Sequence, residues 1–185
     1  IFTMKVIGGL RPGNFCLCFR KHQISCLPAF LQKCHFYPQR LVPESSLFIR
    51  PFQTEDEAAL IKLWQLCELT VPWNDPHKDI ARKLKVQPEL FLVGMLENHL
   101  ISSVMGGYDG HRGWINYLAV HPDFQAQGFA QQIMDFLESA LRKIGCPKIN
   151  LQIRTGNDNV ISFYQKLGFS DDRAVSMGKI LEEDH

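Results

Sequence analysis

Residues 114–144 read WINYLAVHPDFQAQGFAQQIMDFLESALRKI, and this stretch decides the fold. Its first seven residues, Trp114 to Val120, form a short run rich in aromatic and branched apolar side chains, the composition of a strand. A loop of His121 to Gly128 follows. Then comes the longest helical pattern in the chain, with Phe129, Ile133, Phe136, Leu137, Ala140, Leu141 and Ile144 on one stripe that Gly145 stops. A loop entering a helix in this way offers unpaired backbone N–H groups and the positive end of the helix dipole, so a phosphate or pyrophosphate can sit there. Gly128 lets the backbone approach closely, and Ala130 keeps the first turn free of bulk. Neither G-x-x-x-x-G-K-[ST] nor G-x-G-x-x-G is present, so this is neither of the standard nucleotide loops.

Working outward, Leu47 to Phe52 reads as a strand. Thr54 then opens a helix as its cap, with Glu57 three residues on completing a capping-box pattern. Pro72-Trp73-Asn74-Asp75-Pro76 interrupts the helical pattern, and a second helix is expected from His77 to Val86. Leu90 to Leu96 and Leu100 to Met105 are apolar runs separated by Glu97-Asn98-His99, which predicts an antiparallel hairpin. Gly106 to Gly113 reads as a turn into the strand at Trp114. Although rich in glycine, it precedes a strand and not a helix, which favours a hairpin turn over a phosphate loop. Downstream, Lys148 to Ile153 is expected as a strand, Asn157 to Leu167 as a helix and Ser170 to Ile180 as a last strand region. Strands and helices mix without strict alternation. The expected fold is α+β, a single domain with a mixed, mainly antiparallel sheet flanked by helices.

The chain has 185 residues and a formal net charge of +1, which recommends neither a nucleic acid nor an anionic membrane as partner. That neutrality conceals a division. Residues 1–46 carry six basic residues and one acid, and also Cys16, Cys18, Cys26 and Cys34. The remaining 139 residues hold fourteen basic and eighteen acidic ones, with Cys67 and Cys146. Residues 1–45 are therefore expected to be a basic, cysteine-containing leader, poorly ordered or non-native, and residues 46–185 the working domain. The leader's apolar runs are too interrupted for a membrane span or a secretory signal, and its glycines and prolines break the amphipathic helix a transit peptide needs. A zinc site there would use C-x-C-x7-C-x7-C-H, a spacing without the paired C-x2-C knuckles of such sites. In the domain, His77, His99 and His121 show no metal-binding pairing, so no metal is expected. The two isolated cysteines suit a reducing cytoplasm.

Gln125-x-x-Gly128-x-Ala130 after Tyr117-Leu118-Ala119-Val120 resembles the acetyl-coenzyme A loop of the GNAT superfamily, the Gcn5-related N-acetyltransferases. Asn157-x-x-Val160-x-x-Phe163-Tyr164-x-Lys166-x-Gly168-Phe169 resembles the closing motif of the same superfamily. The two stand in the expected order with a strand between them, and the resemblance runs from about Leu47 to Leu181. More narrowly, Trp73-Asn74-Asp75-Pro76, the stretch Val104 to Gly113, and Gly145-Cys146-Pro147-Lys148-Ile149 look like the bacterial YpeA-type acetyltransferases.

The resemblance implies a GNAT-like fold, acetyl-coenzyme A as acyl donor without a metal, and direct N-acetylation of a primary amine on a small molecule or a peptide or protein N-terminus. A homodimer is compatible with it. It places the donor against Leu118, Val120, Gln125, Ala126, Gln127, Gly128, Phe129, Ala130 and Asn157, and gives Tyr164 the role of general acid. Gln127 and Phe129 depart from the family, which commonly has arginine or glycine and then isoleucine, so the charge complement to pyrophosphate is weaker. Acyl transfer to an amine also needs a proton acceptor. Asn116 cannot serve; Asp109, His111, Glu68 or a water chain can. The poor charge complement and the missing obvious base support an alternative, a catalytically silent acyl-coenzyme A-binding module or sensor.

Overall fold

The computed structural model describes residues 47–182. The expected leader of residues 1–45, with its cysteines, lies outside the described residues. Five strands form one sheet in sequential order: β1 (Phe48–Pro51), β2 (Phe91–Leu96), β3 (His99–Tyr108), β4 (Gly113–Val120) and β5 (Ile149–Asn150). Neighbours are antiparallel except β4 and β5, which are parallel. Four helices accompany them: α1 (Glu57–Leu66), α2 (Pro76–Leu84), α3 (Phe129–Lys143) and α4 (Asp158–Lys166). The α+β sheet expected from the sequence is the one observed.

Strand alternation divides the core in two. Leu92, Val104, Leu118 and Val120 meet Ile133, Leu137 and Tyr164 from α3 and α4 on one face. Phe91, Val93, Tyr117 and Ala119 meet Leu60, Trp64 and Ile80 from α1 and α2 on the other. Local signals set several helix ends, although α2 stops at Leu84 and not at the expected Val86. Asp75 accepts the N–H of His77 at 2.9 Å with Pro76 in the first turn of α2. Gly145 and Gly168 take positive φ after α3 and α4, where the chain reverses.

Several expected boundaries move, each for a local reason. Thr54 does not cap α1. Thr54–Asp56 forms one 3-10 turn, and the carboxylate that organises it is Asp56, which accepts the N–H of Gln53 at 2.9 Å and clamps Arg50 through contacts of 2.6 and 2.8 Å. The hairpin break narrows to Glu97 and Asn98, both at positive φ, as a two-residue turn requires. β3 runs on to Tyr108, so the turn before β4 is only Asp109 to Arg112. The strand expected over 148–153 shrinks to Ile149–Asn150, and the strand expected over 170–180 does not form. Lys148 pairs with Asp172 at 2.6 Å and Gln152 bonds Ser176, so side chains tie the tail along β5 without a backbone ladder. Val175, Met177, Ile180 and Leu181 meet no second layer and are exposed.

Candidate active site

The centre of β4 is irregular. The register against β3 shifts between Ser103 and Met105, and Tyr117 sits at φ +51°, the mark of a bulge. The bulge is anchored by a buried relay: Trp64 Nε1 donates to Ser103 Oγ at 3.0 Å, and that hydroxyl donates to the Tyr117 carbonyl at 3.1 Å. On the other edge, β4 pairs with β5 only at Gly113 with Ile149 and Trp114 with Asn150. From there to Val120 the two strands part.

The parting leaves the backbone of β4 beyond Trp114 without a β5 partner. His121 donates its N–H to Ile101 of β3 at 2.8 Å, so alternation turns the N–H groups of Leu118 and Val120 toward the β5 side. Both residues are buried, and their backbone groups are the only polar atoms they have. The Val120 carbonyl already accepts from Gln125 Nε2 at 3.0 Å and from the Cys67 thiol at 3.3 Å. Burial pushes that thiol up to about 11, so Cys67 is a packing group and not a nucleophile.

The loop of residues 125–128 has the geometry of a cradle. Ala126 and Gly128 lie at φ +58° and +84°. Gly128 is the N-cap of α3 and supplies no side chain; no acid stands in the first turn, and Arg142 and Lys143 occupy the last. The first-turn N–H groups of Phe129, Ala130 and Gln131 have no helical carbonyl to pair with. They lie at the positive end of the helix dipole, which no acidic side chain of that turn neutralises. Gln127 turns its amide back onto the Asp123 carbonyl at 3.0 Å, and this side chain adds no charge to the loop. Phe129 buries its ring beside Phe124, and Ala130 packs against the same core.

Tyr164 comes to this core from α4, through the same cluster as Leu118, Val120 and Phe129. Its ring is 2% exposed and meets Phe163 and Phe169 edge to face. Its hydroxyl is buried and has no hydrogen-bond partner. Burial raises the phenol well above its ordinary value, so the group keeps its proton and can act only as a donor. A buried hydroxyl without a partner costs about 1–3 kcal/mol, so this atom is the exception to the pairing of buried polar groups in the core. Asn157 stands at the N-terminal cap of α4, its carbonyl accepting from Val160 and Ile161 at 3.1 Å.

A larger cleft, about 950 Å³, lies between β5, the C-terminal half of α3 and the tail. Tyr164 and Asn150 line it, but no residue of 125–130 does. It is the space left beside β5 by the unformed last strand, and it is distinct from the loop.

Of the candidate proton acceptors, Asp109 is committed elsewhere. Its carboxylate closes the turn, accepting from Arg112 and His111 N–H at 2.6 and 2.7 Å and from the Trp114 indole at 3.1 Å. Those donors, Arg112 first, hold it below the usual carboxylate range and make it a poor base. His111 is exposed in that turn, and Glu68 is exposed beyond the end of α1. The carboxylate that does approach the bulge is Asp79, reached by the Tyr117 hydroxyl. Sequence reasoning passed over it, because only the polar register of a short amphipathic helix signalled its direction. Among the described residues no group of three or more His, Cys, Asp or Glu is placed to hold a metal ion, and no helix is long and apolar enough to cross a membrane.

Comparison with known proteins bears on the family and the fold. The acetyltransferase (GNAT) family matches residues 58–169. An acetyltransferase of Pectobacterium atrosepticum is 49% identical over 136 residues, covering 74% of this chain and 96% of its own length. Among solved structures, the ribosomal-protein-S18-alanine N-acetyltransferase of Escherichia coli superposes with a TM-score of 0.58 at 24% identity, over 68% of this chain and 78% of its own. The NatC complex bound to Gag peptide and CoA contains a chain that superposes with a TM-score of 0.58 at 21% identity, over 66% of this chain and 83% of its own.

Proposed function

Because the chain belongs to the GNAT acetyltransferase family, we propose that it is an acetyl-coenzyme A-dependent N-acetyltransferase, transferring the acetyl group directly to a primary amine of a small molecule or of a peptide or protein N-terminus. The observation that carries this reading is the buried Tyr164 hydroxyl, without a partner and kept protonated, in the same core as the bulged strand and the loop. A proton donor held in waiting is what departure of a thiolate needs.

The residues present fit an acyl-coenzyme A. The N–H groups at Ala126 to Ala130 would hold its phosphates, the Leu118 and Val120 N–H groups its pantetheine arm, with Asn157 alongside at the cap of α4. Gln125 braces the loop through the Val120 carbonyl. When bound, the thioester supplies an activated acetyl group. Tyr164 gives a proton to the departing sulfur and regains one from solvent. No metal is needed for these steps, and a cytoplasmic setting and a homodimer through the exposed tail belong to the same proposal.

Isothermal titration with acetyl-coenzyme A tests it; affinity in the micromolar range is expected, and no binding at hundreds of micromolar overturns it. Gln127, folded back where a cation would serve, favours a second reading, a silent acyl-coenzyme A-binding module. Binding without acetyl transfer to any of a broad panel of amines and peptides would select that one.

A further inference from the structure

The cleft of about 950 Å³ beside β5 has two extended walls with nothing between them. Two side-chain ties hold those walls together: Lys148 Nζ donates to the Asp172 carboxylate at 2.6 Å, and Gln152 Nε2 donates to Ser176 Oγ. Both ties join residues 24 positions apart, so residues 172–176 run parallel to 148–152 in a single register. Adjacent strands lie about 4.8 Å apart and bond through their backbones. Among the described residues no backbone bond joins these two segments; a lysine and a glutamine side chain reach across instead, with the cleft between. This is the arrangement of two strands from which a third has been left out.

The slot is furnished for an extended chain. Alternation along residues 148–153 places Ile149, Leu151 and Ile153 on one face, where they pack with Leu167 and Phe169 against the helical core. The edge of β5 turned away from β4 carries N–H and C=O groups without a strand partner. Asn150 lines the slot, and its Oδ1 is buried without a hydrogen-bond partner. On the opposite wall Val175 and Met177 line the same slot and are 88% and 92% exposed. A strand entering there gains a backbone ladder on β5, a donor for Asn150 and cover for both apolar side chains.

The tail itself supplies a segment of the right kind. Beyond the slot, Ile180 and Leu181 are 78% and 90% exposed and are not part of its lining. Gly178 is the only glycine in residues 170–182, and it does not take positive φ. The chain therefore makes no tight reversal there into its own slot and runs on as an arm. Residues 178–182, at about 3.3 Å each, are long enough to lie along 149–153. Between two copies related by a twofold axis the exchange is reciprocal: each arm fills the other slot, and the arm and the slot are covered together.

We infer that this slot is a strand-receiving site and that its occupant is residues 178–182 of a second copy, added to the free edge of β5. The inference rests on the homodimer proposed above and specifies how it is joined.

Two substitutions at exposed residues separate the arm from the slot. Ile180→Asp places a charge on the arm, whereas Ala174→Trp fills the slot from its outer wall. Native mass spectrometry of the full chain reads the dimer fraction across a concentration series. Each variant alone is expected to dimerise about 100-fold more weakly than the parent. Mixed in equal amounts, at a concentration where neither pairs alone, the two are expected to form a heterodimer, because the Ala174→Trp chain keeps its arm and the Ile180→Asp chain keeps its slot. Dimerisation of either variant within threefold of the parent overturns the exchange, and so does a mixture without heterodimer. Should Ala174→Trp not fold, the Ile180→Asp series decides. A parent chain that is monomeric at 100 micromolar removes the homodimer itself, whereas a parent dimer that both variants leave intact removes only the strand exchange.

Discussion

At the scale of single residues, Tyr164 separates packing from chemistry unusually well. Its ring fills the core between Phe163 and Phe169, while its hydroxyl makes no bond within the fold. Tyr164→Phe keeps the ring and removes an unsatisfied polar atom, so stability is expected to stay level or rise by up to about 1 kcal/mol. Turnover is expected to fall tenfold or more while acetyl-coenzyme A affinity stays within twofold. Urea unfolding, donor titration and steady-state kinetics check the three parts, and unchanged turnover would take the acid role away from Tyr164. The residue's place in a motif was legible in the sequence. That its hydroxyl would be both buried and without a partner was not, because this depends on α4 packing onto the sheet with Val160 and Tyr164 inward.

At the scale of elements, the entry to α1 shows how a side chain can replace the expected cap. Arg50 on β1 and Asp56 before α1 form a two-pronged ion pair, which fixes the angle at which the helix leaves the sheet. The hydrogen bond from Arg50, with that from the Gln53 N–H, holds the Asp56 carboxyl below its usual range. A carboxyl whose folded value is depressed contributes fully above its unfolded value, near 4, and loses that contribution as pH falls through the folded one. Asp56→Asn is therefore expected to cost about 1–2 kcal/mol at pH 7, a charge-assisted bond that is only partly exposed. The difference from the parent should shrink below about pH 3 as both lose the charge. Urea titrations at the two pH values measure it; an equal difference at both would show that the ion pair is not the cause. Thr54 and Glu57 match a capping box by spacing alone, whereas Asp56 wins because only it meets a cation from a neighbouring strand.

At the scale of the whole molecule, the sheet ends on an unsatisfied edge. β5 has only two paired residues, and the apolar side chains of Val175, Met177, Ile180 and Leu181 are 78–92% exposed beside it. The homodimer proposed above would cover this exposed apolar segment with a second copy of the chain. Light scattering after size exclusion is expected to give twice the chain mass at tens of micromolar, and Met177→Asp to return it to one. A parent chain that stays monomeric at 100 micromolar would overturn this. The order of elements, the hairpin, the loop before α3 and the family were determined by the sequence by itself, because periodicity, glycine positions and helix stops are local properties of the chain. Only the tertiary structure decided that the strand expected over 170–180 does not form, that Asn116 and Tyr117 share one face, and that Asp79 meets the bulge. Each of these depends on register and on which helix covers which face, and those are set by contacts between residues dozens of positions apart.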